Sequence, residues 1–358
     1  MARLSRAEAQ ERNRARVLAA ARAEFAERGF RDAKVDAIAE RAELTRGAVY
    51  SNFPGKRALY FAVLADLVER APGPAHPQHG TTPAEALGAL ARAWVSRLDA
   101  EPGGWARLAG DLLPEVVSAE LTRRPFEQLM ALDALLLGLA LERLRPPARE
   151  PGGPVPRRVR LATTVLGALH GASGLAGAAP GFLQPFDVIS ACERLAGLEL
   201  NDHWPPPTAV PPVRAADLPW SPPSAVDLVT GGPARLDGDG VVAVLGLHRL
   251  AAVEQAVRAG AEVTAVLVTG EPAELAPLAR LVVAELCGCL RQSFPPSAWP
   301  RLRVVCDESG AVAAAAGVAA VSDATEAAVR VESGRVVARA EGFGACQAVA
   351  SGSVVAAG

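Results

Sequence analysis

Cysteine is scarce in this chain: 358 residues carry five. An odd number at low density argues against a disulfide scaffold and fits a reducing cytoplasm. Long apolar runs are missing as well. The nearest, such as Ala131 to Ala140, are too short or too broken by charge for a bilayer, which needs about 20 residues. No membrane partner is expected. The opening MARLSRAEAQERNRAR has no apolar segment of the signal-peptide kind, so a cytoplasmic protein is expected. Neither sign of charge dominates. The 37 Lys and Arg face 39 Asp and Glu, a net charge of −2, which argues against a uniformly basic nucleic-acid binder. Catalytic signatures are also lacking: there is no GxxxxGK[ST] phosphate loop, no GxSxG elbow and no HExxH pair. Cys287-Gly288-Cys289 has no second pair at zinc-ligand spacing, and Cys192, Cys306 and Cys346 are scattered. No cofactor, no metal and no enzymatic activity are expected.

What is present is a large apolar inventory, 50% of residues against 21% charged. The length allows two or three domains of roughly 100–200 residues each. Charge is distributed unevenly. Residues 1–57 hold 13 Lys and Arg against 8 Asp and Glu, the pattern of one phosphate-facing domain on an acidic body. Proline and glycine mark the breaks. They cluster at Ala71 to Pro77, at Arg145 to Pro156, and most densely from Trp204 to Pro223, which reads as a semi-rigid spacer. The chain therefore divides into residues 1–70, a helical middle over 78–202, a Pro-rich linker at 203–224 and an α/β domain over 225–358.

The first segment holds the clearest motif. Val17, Leu18, Ala21 and Phe25 form the apolar face of a first helix from about Arg12 to Arg28, and Gly29 follows as its C′ residue. Val35–Ala42 is a second short helix, Glu43-Leu44 a tight turn, and Thr45 the cap of a third helix over Arg46–Asn52. A fourth continues from Arg57 to about Glu69. Two short helices joined by a tight turn and buttressed by longer ones can place the second of the pair in a DNA major groove. Phe25, Ile38, Val49, Phe53 and Leu59 are assigned to the core. Arg3, Arg6, Arg12 and Arg14 could form a disordered basic arm or a plain solvated terminus.

These residues closely resemble the TetR family of bacterial transcriptional regulators. The resemblance is carried by Ala20–Phe25, Gly29-Phe30, Val35–Ala42, Thr45-Arg46-Gly47-Ala48-Val49-Tyr50, Asn52-Phe53 and Gly55-Lys56-Arg57-Ala58-Leu59. Asn52 stands where the family often has His, and Arg57 where it often has Glu. The resemblance implies that Arg46 forks onto guanine O6 and N7 and that Ala48 touches a thymine methyl, with Gly47 permitting close approach. Thr45, Tyr50, Asn52 and Lys56 would then hold phosphates. It also implies a homodimer on a palindromic operator of double-stranded DNA, and a helical bundle that dimerises and encloses a small-molecule effector. Pocket candidates are Trp94, Leu98, Trp105, Leu108, Leu112, Phe126, Met130 and His170. The scarcity of buried charge favours an apolar effector. Dimer candidates are Leu166, Gly167, His170, Gly171, Gly174 and Val188, on a small-residue helix and the helix that follows.

Past Pro223 the texture changes. Strands are expected at Val241–Leu245, Val263–Val268 and Leu302–Cys306, with a hairpin over Ala327–Arg339 turning at Ser333-Gly334. This order resembles a thioredoxin-like fold of the peroxiredoxin-related kind. Where active members place a reactive cysteine, this chain has Gly246-Leu247-His248-Arg249-Leu250, so the resemblance implies a domain without thiol chemistry. The fold expected is thus multidomain, all-α followed by α/β. The function expected is a repressor released by an effector. The rivals are a redox or thiol-sensing protein that uses its C-terminal domain, and a nucleoid-type binder without sequence preference.

Overall fold

The computed structural model of the protein describes residues 5–71, 77–98, 105–148, 153–179, 181–352 and 354–355. The breaks expected at 71–77 and 145–156 fall partly outside these residues, and Arg3 falls outside entirely. Helix α1 (Arg6–Asp32) opens on a capping box, with Ser5 accepting from the Glu8 N–H and the Glu8 side chain accepting from the Ser5 N–H. Arg6, Arg12 and Arg14 are therefore helical rather than a disordered arm, because the cap starts the helix ahead of them. The helix breaks at Gly29, whose φ of 75° suits a residue without Cβ.

The helix-turn-helix is α2 (Val35–Arg41) and α3 (Arg46–Tyr50), with Glu43 taking a positive φ of 52° in the turn. Helix α4 (Lys56–Glu69) is buried on every side from Ala58 to Ala65. The middle of the chain supplies α5 (Pro83–Val95), α6 (Trp105–Ala109), α7 (Leu112–Val117), α8 (Glu120–Leu144), α9 (Val159–Ala178) and α10 (Pro185–Leu195). A two-residue pairing of β1 (Val155–Pro156) with β2 (His203–Trp204) ties the start of α9 to the chain beyond α10.

The remainder forms a seven-stranded mixed sheet. Its strands are β3 (Val213–Pro219), β6 (Gly240–Gly246), β7 (Val263–Val268), β8 (Leu302–Cys306), β9 (Glu326–Glu332), β10 (Arg335–Glu341) and β11 (Val354–Val355). A small separate pairing joins β4 (Val226–Asp227) to β5 (Gly232–Pro233). The order across the sheet is β11-β3-β10-β9-β6-β7-β8, with β6, β7 and β8 parallel and β9 antiparallel to β6. Ser333 and Gly334, at φ 50° and 74°, turn the β9–β10 hairpin, as a two-residue turn of paired positive φ requires. Helices α11 (Val253–Arg258), α12 (Pro272–Ser293), α13 (Ala311–Ala315) and α14 (Ala345–Ser351) complete this part. β6 and β7 are buried along nearly their whole length, as strands covered on both faces must be.

Two expectations change. The Pro-rich stretch 203–224 is not a free spacer, because its middle pairs into the sheet as β3 against β10. Its prolines lie outside the paired stretch or at its end, where no ladder donor is needed. Nor is the α/β part a tethered module. Its longest helix, α12, lies along α4 and also against α5 and α8. Arg57 of α4 pairs with Glu274 of α12 at 2.5 Å, and Arg280 of α12 reaches Glu69 of α4 at 3.1 Å. One continuous apolar cluster consequently runs from Val17 through the bundle to Val241, Ala243 and Leu245 on one face of the sheet. A second cluster, with Trp220, Val242, Val244 and Val266, fills the other face.

At the α8–α12 seam Asp133 is buried with Oδ1 unpartnered. Burial, with Glu285 nearby, pushes its carboxyl well above 3.8. The folded state thus binds this proton more tightly than the unfolded chain does. Wild-type stability falls as pH rises from about 3.8 toward the folded-state pKa. Asp133→Asn is expected to match wild type in thermal melts below that window and to exceed it at pH 7–8. A gap that stays constant with pH would contradict this account.

Candidate functional site

The most exposed functional surface of the N-terminal part is the start of α3. Thr45 caps it, its Oγ1 accepting from the Ala48 N–H at 3.2 Å. Thr45, Arg46 and Gly47 are exposed, Ala48 is half-buried, and Val49 turns inward at 2% exposure. Arg46 pairs loosely with Asp36 at 3.3 Å and lies over the ring of Tyr50, 5.5 Å from its centroid. Tyr50 is itself 41% exposed. A Cβ added at Gly47 would meet only Thr45 Oγ1, at 3.9 Å. Nothing among the described residues therefore demands glycine there. Phe25, Ile38, Val49, Phe53 and Leu59 are all buried beneath this helix pair, as expected of the core.

Two residues expected at phosphates are used internally. Lys56 Nζ donates to the carbonyls of Phe30, Arg31 and Ala33 at 2.7, 3.0 and 3.1 Å. It also lies 4.5 Å from the centre of the Phe30 ring. Its three N–H bonds close off the chain reversal after α1, where the broken helix leaves carbonyls without partners. Asn52 Nδ2 donates to the Ala48 carbonyl at 2.8 Å and ends α3. Thr45, Arg46, Gly47 and Tyr50 remain exposed, while Ala48 is half-buried toward α1.

The second feature is a cavity of about 1300 Å³. Of the expected lining, Trp94, Leu98, Trp105, Leu112, Phe126 and His170 are there. Leu108 is 2% exposed in the core, and Met130 packs against that core from α8, so neither lines the space. Trp94 Nε1 donates to Ser173 Oγ at 2.9 Å, and the His170 ring meets Trp94 edge-on with centroids 4.9 Å apart. Burial brings His170 down to about 4, so it is uncharged at neutral pH. The sequence reading missed Arg107, Asp111 and Glu285 in the wall. Glu285 had one visible signal, a lone acid inside the apolar run Leu281–Leu290.

The wall touches the N-terminal helices directly. Asp111 accepts from the Phe30 N–H at 3.0 Å, and Arg107 donates to the Ala26 carbonyl at 2.5 Å. Tyr60 of α4 donates from its buried hydroxyl to the Leu108 carbonyl at 2.5 Å. The short segment 107–111 thus ties the end of α1 and the flank of α4 to the cavity.

The dimer candidates separate by face. Gly167, Gly171 and Gly174 are exposed on α9, and a Cβ at any of them would meet nothing within 4 Å, though Gly174 also borders the cavity. Leu166 is 1% exposed in the core, His170 faces the cavity, and Val188 packs half-buried against the bundle. A helix of period 3.6 cannot put Leu166 and Gly167 on one side. Phe182 and Phe186, beside this face in sequence, are 70% and 75% exposed. Among the described residues no helix is long and apolar enough to cross a membrane, and no cluster of His, Cys, Asp and Glu could hold a metal.

Residues 17–63 match the family model described as bacterial regulatory proteins, tetR family. The chain is 49% identical over 65 residues to the HTH-type transcriptional regulator SrpR of Pseudomonas putida, a stretch covering 18% of this chain and 30% of that protein. It is likewise 49% identical over 65 residues to the uncharacterized HTH-type transcriptional regulator TtgW, also of Pseudomonas putida, covering 18% and 48%. The chain therefore spans under half the length of these curated relatives. A crystal structure of a TetR transcriptional regulator from Rhodococcus sp. RHA1 aligns with 54% of this chain and 99% of its own, at 19% identity and a TM-score of 0.36. The N-terminal domain is thus similar to the DNA-binding domain of tetR-family regulatory proteins.

The internal use of Lys56 yields a test. Lys56→Met is expected to lower stability by about 1–3 kcal/mol in urea unfolding, since it strands three carbonyls. A variant with unchanged stability but weakened DNA binding would return Lys56 to a phosphate-contacting role.

Proposed function

We propose that the chain is a transcriptional regulator that binds a palindromic operator as a homodimer and represses until a small molecule occupies the cavity. The observation that carries this reading is α3. It exposes Arg46, Gly47 and Tyr50 on a Thr45 cap, with Ala48 half-buried beside them, within a basic segment similar to the tetR-family domain. Arg46 reads a guanine edge and Ala48 a thymine methyl, while Thr45 and Tyr50 fix register on phosphate. One such helix covers a half-site, so two copies about 34–36 Å apart are needed to engage successive major grooves. The open glycine face of α9, with Phe182 and Phe186 beside it, supports a seam between two copies. Release is a population shift. An effector that fits the cavity better when 107–111 has moved draws α1 and α4 with it and misplaces the two α3 helices.

The C-terminal part is read as a thioredoxin-like domain that binds or braces and does no chemistry. Support comes from the parallel β8-β7-β6 run followed by the antiparallel β9–β10 hairpin. After β6 comes His248, with no cysteine at the helix start. The redox alternative requires a low-pKa accessible thiol. Instead burial pushes Cys192 up to about 11 and Cys306 up to about 12, and raises Cys287, Cys289 and Cys346 as well.

Arg46→Ala is expected to weaken binding to the preferred operator about tenfold or more and to flatten discrimination between sites, as read by fluorescence anisotropy at fixed salt. Equal losses on operator and random DNA would overturn the base-reading role. In the native protein the five thiols should react with a disulfide reagent far more slowly than in the denatured chain. A rapidly labelled native cysteine would favour the thiol-sensing alternative.

A further inference from the structure

Among the described residues, the cavity wall carries a buried carboxylate that accepts no hydrogen bond. Glu285 lies midway along α12, is 6% exposed, and lines the cavity. Among the described residues its one charged partner is Arg97, whose Nη1 forms a long ion pair with Oε1 at 3.8 Å. Arg97 spends its other guanidinium nitrogen on the Glu285 backbone carbonyl at 3.0 Å and on Cys289 Sγ at 2.7 Å. The remaining charges of the wall are committed elsewhere. Glu27 takes two 2.8 Å bonds from Arg41, Arg28 pairs with Glu24 at 3.1 Å, Asp111 accepts from Phe30, and Arg107 caps the end of α1.

A buried carboxylate without a donor is costly, and the cost is relieved by a ligand that brings the missing donor. Three aromatic side chains, Trp94, Trp105 and Phe126, share the wall, and aromatic faces attract cations as well as flat apolar rings. His170 is uncharged there and repels no cation. The guanidinium of Arg97 already lies near the Trp94 and Trp105 rings, 5.7 and 5.9 Å from their centroids, so a ligand's ammonium competes with it for Glu285. The cavity, at about 1300 Å³, has room for a multi-ring molecule.

We propose that the cavity takes a planar apolar molecule bearing a protonated amine, its ammonium on Glu285 and its rings among Trp94, Trp105 and Phe126. The α/β domain therefore supplies the charge-recognising wall of a site whose other walls belong to the helical bundle, and the site is incomplete without it. This inference rests on the effector-site reading of the cavity and replaces the expectation of a purely apolar effector.

The test uses the full chain and three probes of similar shape: naphthylmethylamine, naphthalenemethanol and naphthoate. Binding is followed by calorimetry and by quenching of tryptophan fluorescence. The amine is expected to bind about tenfold or more tighter than the alcohol, and naphthoate the most weakly. Glu285→Gln should bring amine and alcohol to similar affinity. Equal or reversed ranking on wild type, binding of none of the three, or a preference that survives in Glu285→Gln would each overturn the proposal. The wild-type ranking does not depend on how the variant folds. Binding of the same preparation to promoter DNA is measured alongside. DNA binding with the wrong ranking defeats only the amine, whereas the right ranking without DNA binding defeats the regulator reading.

Discussion

The structure depends on the burial of α12 from every side. An α-helix in a sheet domain ordinarily presents one apolar stripe to its own sheet and a polar face to water. Here Leu275, Leu278, Leu281, Val282, Leu286, Cys287 and Leu290 are all buried, because the faces turned from the sheet meet α4, α5 and α8. An all-round apolar helix has no stable place at a surface, so the sheet and the bundle cannot part without exposing it. The ion pairs Arg57–Glu274 and Arg280–Glu69 set the register of this contact. Being partly exposed, they add specificity more than stability.

This arrangement gives the cavity its shape. Glu285 of α12 joins a wall otherwise built by α5, α6, α7, α8 and α9, with the segment 107–111 and the end of α1 forming its side toward the N-terminal helices. A molecule in the cavity therefore touches the helical bundle, the α/β part and the braces of α1 and α4 at once. The cavity wall and the end of α1 are joined without intermediates, since Asp111 reaches Phe30 and Arg107 reaches Ala26 directly. A shift there acts on the broken end of α1, where Gly29 already interrupts the helix.

How much of this was legible in the sequence varied with the range of the interactions. The helix-turn-helix could be read because its signals are local: the Thr45 cap, the Glu43-Leu44 turn and the apolar spacing of α1 and α4. The hairpin turn at Ser333-Gly334 was equally local, and β6, β7 and β8 declared themselves as β-branched runs. Pairing and packing were not legible. Nothing within Val213–Pro219 announces that it will be held by β10 and β11, since its burial pattern is mostly exposed. The internal bonds of Lys56 and Asn52 could not be read, because their partners are backbone carbonyls, which have no sequence signature. Leu166 and His170 went to the wrong face through a reading by composition where a reading by helical angle was needed. Glu285 acquired its meaning only when α12 was seen to border a cavity built by residues some 110 to 260 positions earlier.

The embrace of α4 by α12 also bears on how the molecule comes into being. Ala58 to Ala65 are covered in the finished protein, yet part of that cover is a helix encoded more than two hundred residues later. During synthesis the N-terminal helices leave the ribosome long before α12 exists. Their apolar flank must wait, shielded by a chaperone or by provisional contacts, for the last third of the chain. The packing of the N-terminal helices is thus completed from the far end of the chain, and a chain released early would carry α4 without the helix that covers it.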